Sequence, residues 1–252
     1  MTDEHVPGYV DAPVRARIAQ AALFLHVTAT GALHALSPVV LALYGPQGYR
    51  QDSDVDPVSH VLVSLGMFLI GIATMMLAVL VPIAVLTWLH RASKNAHAIA
   101  GEPLEHSPGM AIGWWFVPFA NLWQPLAVVR EIETASDPDG SVVASPDTSW
   151  WWGTYLLGNV LGFFANDVVH PSHFHVVTGA LTTFAHAIAA FMLIRIISRI
   201  HASQRRSAKR RRWADVFADD DQGVGDDARG ESETSSVVDE PAASSTSSSW
   251  TS

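Results

Sequence analysis

Residues 113–130 read GWWFVPFANLWQPLAVVR, an apolar, Trp-rich stretch broken by Pro118, Asn121, Gln124 and Pro125. It sits among long hydrophobic runs, so whether it crosses the bilayer sets the sidedness of everything after it. A helix opening near Met110 must end at Pro118, because proline lacks a backbone donor and its ring clashes with the preceding turn. That leaves about 12 Å of helix at 1.5 Å per residue, well short of the ~30 Å hydrocarbon core. The chain then restarts. Asn121 suits an N-cap, and Pro125 falls in a first helical turn, where its missing donor costs little. From there Leu122, Leu126, Val129 and Ile132 share one helical face, with Gln124, Arg130, Glu131 and Glu133 turned away from it. The spacing predicts a broken helix over residues 110–135, lying at the membrane interface or dipping into it. A kinked ordinary span is the alternative.

Four other runs are long enough to span. They cover residues 18–44, 58–90, 150–169 and 174–200, against the roughly 20 residues that cross a bilayer. Pro82 predicts a kink in the second. The fold expected is therefore all-α, a polytopic bundle of four spans with the broken segment between the second and third. Charge supports the even count. Arg15 and Arg17 precede the first run, and Arg205, Arg206, Lys209, Arg210, Arg211 and Arg212 follow the last. The positive-inside rule places both groups in the cytoplasm. A non-crossing Trp-rich segment also keeps Arg91, Lys94 and Arg130 inside, which leaves Arg50 as the single base in an outer loop. The location expected is the cytoplasmic membrane, with both termini cytoplasmic.

Composition agrees with a membrane class: 49% of the 252 residues are apolar and 15% are charged. The formal charge of −9 resides entirely in residues 214–252, which hold ten acids and one base. It belongs to a Ser-rich tail, expected to be disordered, and gives no reason to invoke nucleic acid. The organisation read from this is an N-terminal cytoplasmic segment (1–14), a membrane domain (15–203), a basic juxtamembrane patch (204–213) and the acidic tail (214–252). Cysteine is absent, which excludes disulfides, thiolate nucleophiles and Cys-ligated metal centres. The acids at the N-terminus and the length of the first run argue against signal cleavage.

Four blocks of residues occur in order. They are WLHRASKNA (88–96), containing Trp88, Arg91 and Asn95; GWWFVPFANLWQP (113–125), containing Trp115, Pro118, Asn121 and Pro125; Arg130-Glu131; and Trp150-Trp151-Trp152 followed by Asn159. Over about residues 60–170 this pattern resembles a bacterial membrane-protein family catalogued only as a domain of unknown function. The resemblance implies about four spans and no known activity, and it supplies no catalytic residue. Members often carry Lys or Arg where Gln124 stands and Tyr where Leu126 stands. Read from the residues alone, Arg91 and Asn95 share a helical face. They are expected to clamp the broken segment, with Glu131 as a partner for Arg91 and headgroup snorkelling of Arg91 as the alternative.

No motif spells out a reaction, so no catalytic residue or cofactor is assigned. Asp167, His170, His173 and His175 form the densest candidate for an outer metal site, near His60. His34 and His186 lie at similar depths in their runs, as two axial haem ligands would, whereas His26 needs a partner of its own. Incidental or hydrogen-bonded histidines are the competing reading. Gly158 and Gly162 form a GxxxG that either packs the bundle or builds a homodimer, with Asn159 able to bond across the interface. Trp150, Trp151 and Trp152 fit an aromatic belt. The basic patch suits anionic lipid headgroups. The leading function is a non-enzymatic scaffold or partner-binding membrane protein. The alternatives are a transporter or channel, which would need Asn121, Gln124, Asn159 and Arg91 around one cavity, and a His-ligated metal or haem protein.

Overall fold

The computed structural model describes residues 6–44, 57–137, 145–165 and 173–234. Six α-helices follow one another: α1 (Pro13–Tyr44), α2 (Pro57–Ala100), α3 (Met110–Gly113), α4 (Gln124–Ala135), α5 (Pro146–Ala165) and α6 (His173–Thr234). Two single 3-10 turns, Trp114–Phe116 and Ala120–Leu122, link α3 to α4. Proline opens α1, α2 and α5 and occupies the first turn of α4, where its fixed φ favours the helix and its missing donor is one of the orphans anyway. The chain divides into two compact units, Met1–Ala208 and Lys209–Ser252. α6 is described to Thr234, past the boundary at residue 214 drawn from composition; the rest of the acidic tail, 235–252, lies outside the described residues.

Among the described residues three helices are long and apolar enough to cross a membrane, over Pro13–Leu36, Val61–Ala100 and Val176–Ala214. α5 stands where the remaining run was expected and has 20 residues. Its polar start, Pro-Asp-Thr-Ser, and its three tryptophans dilute its hydropathy, and residues 166–169 of that run lie outside the described residues. Large apolar side chains such as Phe24, Phe68, Met75, Met76, Phe184 and Phe191 are exposed along the long helices. Patches of this size are tolerated where lipid, not water, is the solvent. The chain is therefore described as a multi-pass membrane protein.

Packing in the first unit is uneven along the bundle. The fully buried large side chains are Leu89 and Ile99 of α2, Val128, Val129 and Ile132 of α4, and Ile196, Ile197 and Ile200 of α6. They concentrate where α2 finishes and α5 begins, an end of the bundle referred to below as the capped end. Toward the other end, residues 58–80 of α2 are mostly exposed. α5 and α6 run antiparallel with close backbones: a Cβ on Gly158 would lie 2.8 Å from His186 Nε2, and one on Gly162 3.4 Å from Thr182 Cγ2. Both glycines of the GxxxG thus face α6 of the same chain.

Candidate functional site: the capped end of the bundle

The segment between α2 and α5 folds back on itself. α2 stops at Gly101, whose φ of 76° is the left-handed conformation that closes many helices. His106 then meets α4. Its Nδ1 lies 2.7 Å from Glu131 Oε2, its backbone N–H points at both carboxylate oxygens at 3.3 Å, and its Nε2 lies 3.1 Å from Gln124 Oε1. In the backbone contact the His106 N–H donates and the carboxylate accepts. The incoming and outgoing legs of a hairpin are thereby tied to each other. A second tie runs from His90 Nδ1 to the Pro108 carbonyl at 2.9 Å. Glu131 therefore pairs with His106 and not with Arg91, whose Nε and Nη2 have no hydrogen-bond partner. No sequence spacing announced His106; its contact with Glu131 bridges 25 residues.

At the tip, Val117 is extended (ψ 115°), as the residue before a proline must be. Phe119 has φ 64°, a costly conformation for a bulky side chain. Asn121 does not cap α4. Its N–H donates to Val117 O at 3.0 Å, its Oδ1 has no partner, and Trp123 occupies the N-cap position without a side-chain bond. The 3-10 turn after Phe119 also shifts the helical register, so Leu122 is exposed while Val128, Val129 and Ile132 form the buried stripe. Phe116, Phe119, Leu122 and Trp123 are all exposed around the tip.

α5 holds this hairpin from the side. Trp152 Nε1 donates to Leu122 O at 2.7 Å, and its ring meets Trp115 edge-on at 5.7 Å and stacks on Tyr155 at 5.2 Å. Trp151 and Trp152 are both buried. The aromatic-belt reading of the three tryptophans therefore fits only Trp150, which is exposed; the other two are packing residues.

Beneath the hairpin lies a buried polar network. Asn95 pairs with the backbone of Val10, accepting from its N–H at 3.2 Å and donating to its carbonyl at 3.0 Å, and also donates to Gln204 Oε1 at 3.3 Å. Gln204 Nε2 donates in turn to the Ala92 carbonyl and to Ser136 Oγ. Ser203 and Ser207 donate to the carbonyl of Ser136, the C-cap of α4, at 3.1 and 2.9 Å. Carbonyls at a helix C-terminus lack intrahelical donors, so these serines supply what α4 needs to end inside protein. Asn95 thus clamps the N-terminal segment and α6, not the broken segment as its face had suggested. Tyr9 of the same segment is half-buried, and that partial burial together with Asp11 pushes its phenol up to about 12.

Glu133 was expected on the outward face of α4, yet it is only 2% exposed. Thr148 of α5 donates to its Oε2, and Arg199 Nε of α6 lies 3.4 Å from Oε1, an ion pair without hydrogen-bond alignment. Burial pushes the Glu133 carboxyl up, against the Thr148 hydrogen bond and the Arg199 charge. Asp147 Oδ2 lies 3.2 Å from both Arg195 and Arg199. These groups join α4, α5 and α6.

The histidines sort differently from their depths in sequence. His34 shares its Nδ1–H between Thr30 O and Thr183 Oγ1, at 2.9 Å each, and its ring lies against Gly179. It does not face His186. Instead His26 and His186 line one cavity of about 370 Å³ inside the bundle, with Trp115, Trp151, Tyr155 and Asn159. Of Arg91, Asn121, Gln124 and Asn159, only Asn159 reaches that cavity. Asp167 and His170 lie outside the described residues, as do the side chains of His173, His175 and His60. Among the described residues no three His, Asp or Glu side chains gather as metal ligands would. In the basic patch, Arg205 Nε lies 3.4 Å from Asp11; Arg206 and Lys209 are exposed.

Residues 52–202 match the family model described as Domain of unknown function (DUF4328). The chain belongs to this family. The DUF4328 match opens just before α2 and closes within α6, so it contains the hairpin, the Trp152 brace and the Glu133 pairing, whereas α1 and its His26 lie outside it. No curated protein and no solved structure matches the chain.

Proposed function

We propose that this DUF4328 protein is a non-enzymatic, four-crossing scaffold of the cytoplasmic membrane, with both ends in the cytoplasm and a partner-binding platform at its capped end. The observation that carries the reading is how the motif residues are used. Asn95, Glu131 and Trp152 are spent on fastening the N-terminal segment, the hairpin and the helices to one another. A rigid end built from five elements is what a platform requires.

Taking α5 as a crossing too, the third in chain order, accounts for its antiparallel packing on α6. It also puts the N-terminal segment, the hairpin and the basic patch on one side, in keeping with the positive-inside rule. The exposed tip, Phe116, Phe119, Leu122 and Trp123, then inserts into the inner leaflet as an interfacial anchor. Arg205, Arg206, Lys209, Arg210, Arg211 and Arg212 bind anionic headgroups, each worth about 1 kcal/mol near the surface, in competition with the acidic tail.

A photo-crosslinking amino acid at Lys94 or Glu102, both exposed at the capped end, tests the platform in intact cells. A discrete adduct with a second protein, the same from both positions, is expected; adducts with lipid alone would refute it. For the patch, deletion of residues 214–252 should strengthen binding to vesicles containing anionic lipid. Unchanged binding would remove the competition.

A further inference from the structure

The lipid-facing side of α6 ends in a charged groove. Val177, Leu181, Phe184 and Phe191 are exposed along that helix, and the next exposed residue after Phe191 is Arg195. From Val177 to Arg195 the helix climbs about 27 Å at 1.5 Å per residue, close to the ~30 Å of the hydrocarbon core. Arg195 therefore stands where hydrocarbon gives way to headgroups. Its side chain is 56% exposed, and its guanidinium carbon lies 5.9 Å from the centre of the Phe191 ring. An ionisable group on the lipid side of a span calls for a partner.

Arg195, Arg199, Ile194 and Ser198 line a groove of about 390 Å³. The two arginines are one helical turn apart and share a face. A single carboxylate oxygen, Asp147 Oδ2, lies 3.2 Å from an Nη2 of each. Glu133 meets Arg199 alone, 3.4 Å from Nε, and its side chain is 1% exposed, so it is shut off from the groove. Ser198 is spent as well, since its hydroxyl accepts from Gln20 at 2.8 Å and donates to the Ile194 carbonyl at 2.9 Å. What the groove still offers is guanidinium N–H, above all from Arg195, for which Asp147 is the one acid met among the described residues. Two cations that share one accessible carboxylate leave the groove positive on the lipid side.

We propose that Arg195 and Arg199 hold the phosphate of one anionic phospholipid in this groove, with its chains lying along Phe191 and Phe184. The planar fork of a guanidinium matches two phosphate oxygens at once, which an ammonium cannot do. Negative headgroups are preferred over zwitterionic ones, because a choline would bring a third cation to the pair. The apolar stripe below Arg195 supplies what a soluble phosphate lacks, a surface for the chains. The site is separate from the basic patch, which begins at Arg205, about 15 Å further along α6.

Native mass spectrometry of the purified full chain, with phosphatidylglycerol added in detergent, tests this. One lipid retained more tightly than the rest is expected. Arg195→Gln should weaken its retention at least fivefold; the position is exposed and Arg199 still covers Asp147, so the fold is kept. Arg195→Lys keeps the charge without the fork and should fall between the two. Lys94→Gln, the same charge change at an exposed site outside the groove, should leave retention unchanged. Phosphatidylcholine should be retained several-fold less, and glycerol phosphate at the same concentration should not bind. Equal retention in Arg195→Gln, an equal loss in Lys94→Gln, or equal binding of phosphatidylcholine would overturn the proposal. Equal binding of glycerol phosphate would also overturn it and assign the groove to a soluble phosphate. The site is independent of the platform reading: failure to crosslink a partner leaves it standing, and failure to retain lipid leaves the platform untouched.

Discussion

Replacing Asn95 by alanine removes three hydrogen bonds at once, two to the Val10 backbone and one to Gln204. The two losses differ in cost. Val10 lies at an exposed edge of the N-terminal segment, so water can take over its N–H and carbonyl, and each bond is then worth about 0.5–1.5 kcal/mol. Gln204 is 2% exposed, and leaving its Oε1 without a donor costs about 1–3 kcal/mol. Allowing for partial relaxation, Asn95→Ala should destabilise the protein by roughly 2–4 kcal/mol, or about 5–15 °C in Tm for a chain of this size. Thermal unfolding in detergent measures the total. Limited trypsin digestion locates it, because release of the segment lets the start of α1 fray around Arg15 and Arg17, which are exposed but held in helix. A Tm within about 1 °C of the unsubstituted protein and an unchanged digestion pattern would refute the clamp, since substitutions remote from such a feature stay within about 0.5 kcal/mol.

Three further outcomes follow from the same geometry. Gly158→Ala should destabilise clearly more than Gly162→Ala, by about 1–3 kcal/mol, because its Cβ would meet His186 at 2.8 Å against 3.4 Å to Thr182 for the other; equal Tm values would contradict the packing. Trp152→Phe should cost about 1–2 kcal/mol through the lost bond to Leu122 and the weaker ring contact, and should raise hydrogen exchange in residues 114–123, whereas unchanged exchange there would remove the brace. Because Glu133 is raised above the ordinary carboxylate value of 4.5, the folded state binds its proton more tightly than the unfolded state does. That contribution is present below the ordinary value and is lost as pH rises through the folded value. Tm should therefore fall as pH climbs above about 4.5, and Glu133→Gln should flatten the slope; an equal slope in the variant would mean that another group titrates.

Local chemistry made much of this fold readable. Pro118 and Pro125 act on their own neighbours, so the break in residues 110–135 and the restart near Gln124 follow from backbone sterics alone. The long apolar runs likewise needed nothing beyond their length. The register within the hairpin was harder, because the 3-10 turn after Phe119 rotates everything behind it: Leu122 leaves the buried stripe, and Glu133 enters it to meet Thr148 and Arg199. What stayed hidden was pairing across distance. His106 with Glu131, Asn95 with Val10, and Ser136 with Ser203 and Ser207 join residues far apart in sequence, and nothing in the spacing of the partners announces the contact. One signal was available: Ser203, Gln204 and Ser207 recur at helical spacing where the apolar run gives way to basic residues, which marks a polar face that must be buried somewhere. That His26 and His186 line one cavity depends on how α1 slides along α6. His34 shows how far depth alone misleads, since its ring is taken by Thr30 and Thr183.

On the proposed topology the hairpin between α2 and α5 returns to the side it left. Glu102 and Thr134 are exposed at its two ends, and the chain has no cysteine of its own. Single cysteines at Glu102, Thr134 and Ser172, probed with a membrane-impermeant thiol reagent in intact cells, measure sidedness directly. The proposed topology predicts labelling at Ser172 alone, with Glu102 and Thr134 reacting only after the membrane is opened. Labelling at Thr134 but not at Glu102 would contradict it and make the Trp-rich segment a crossing.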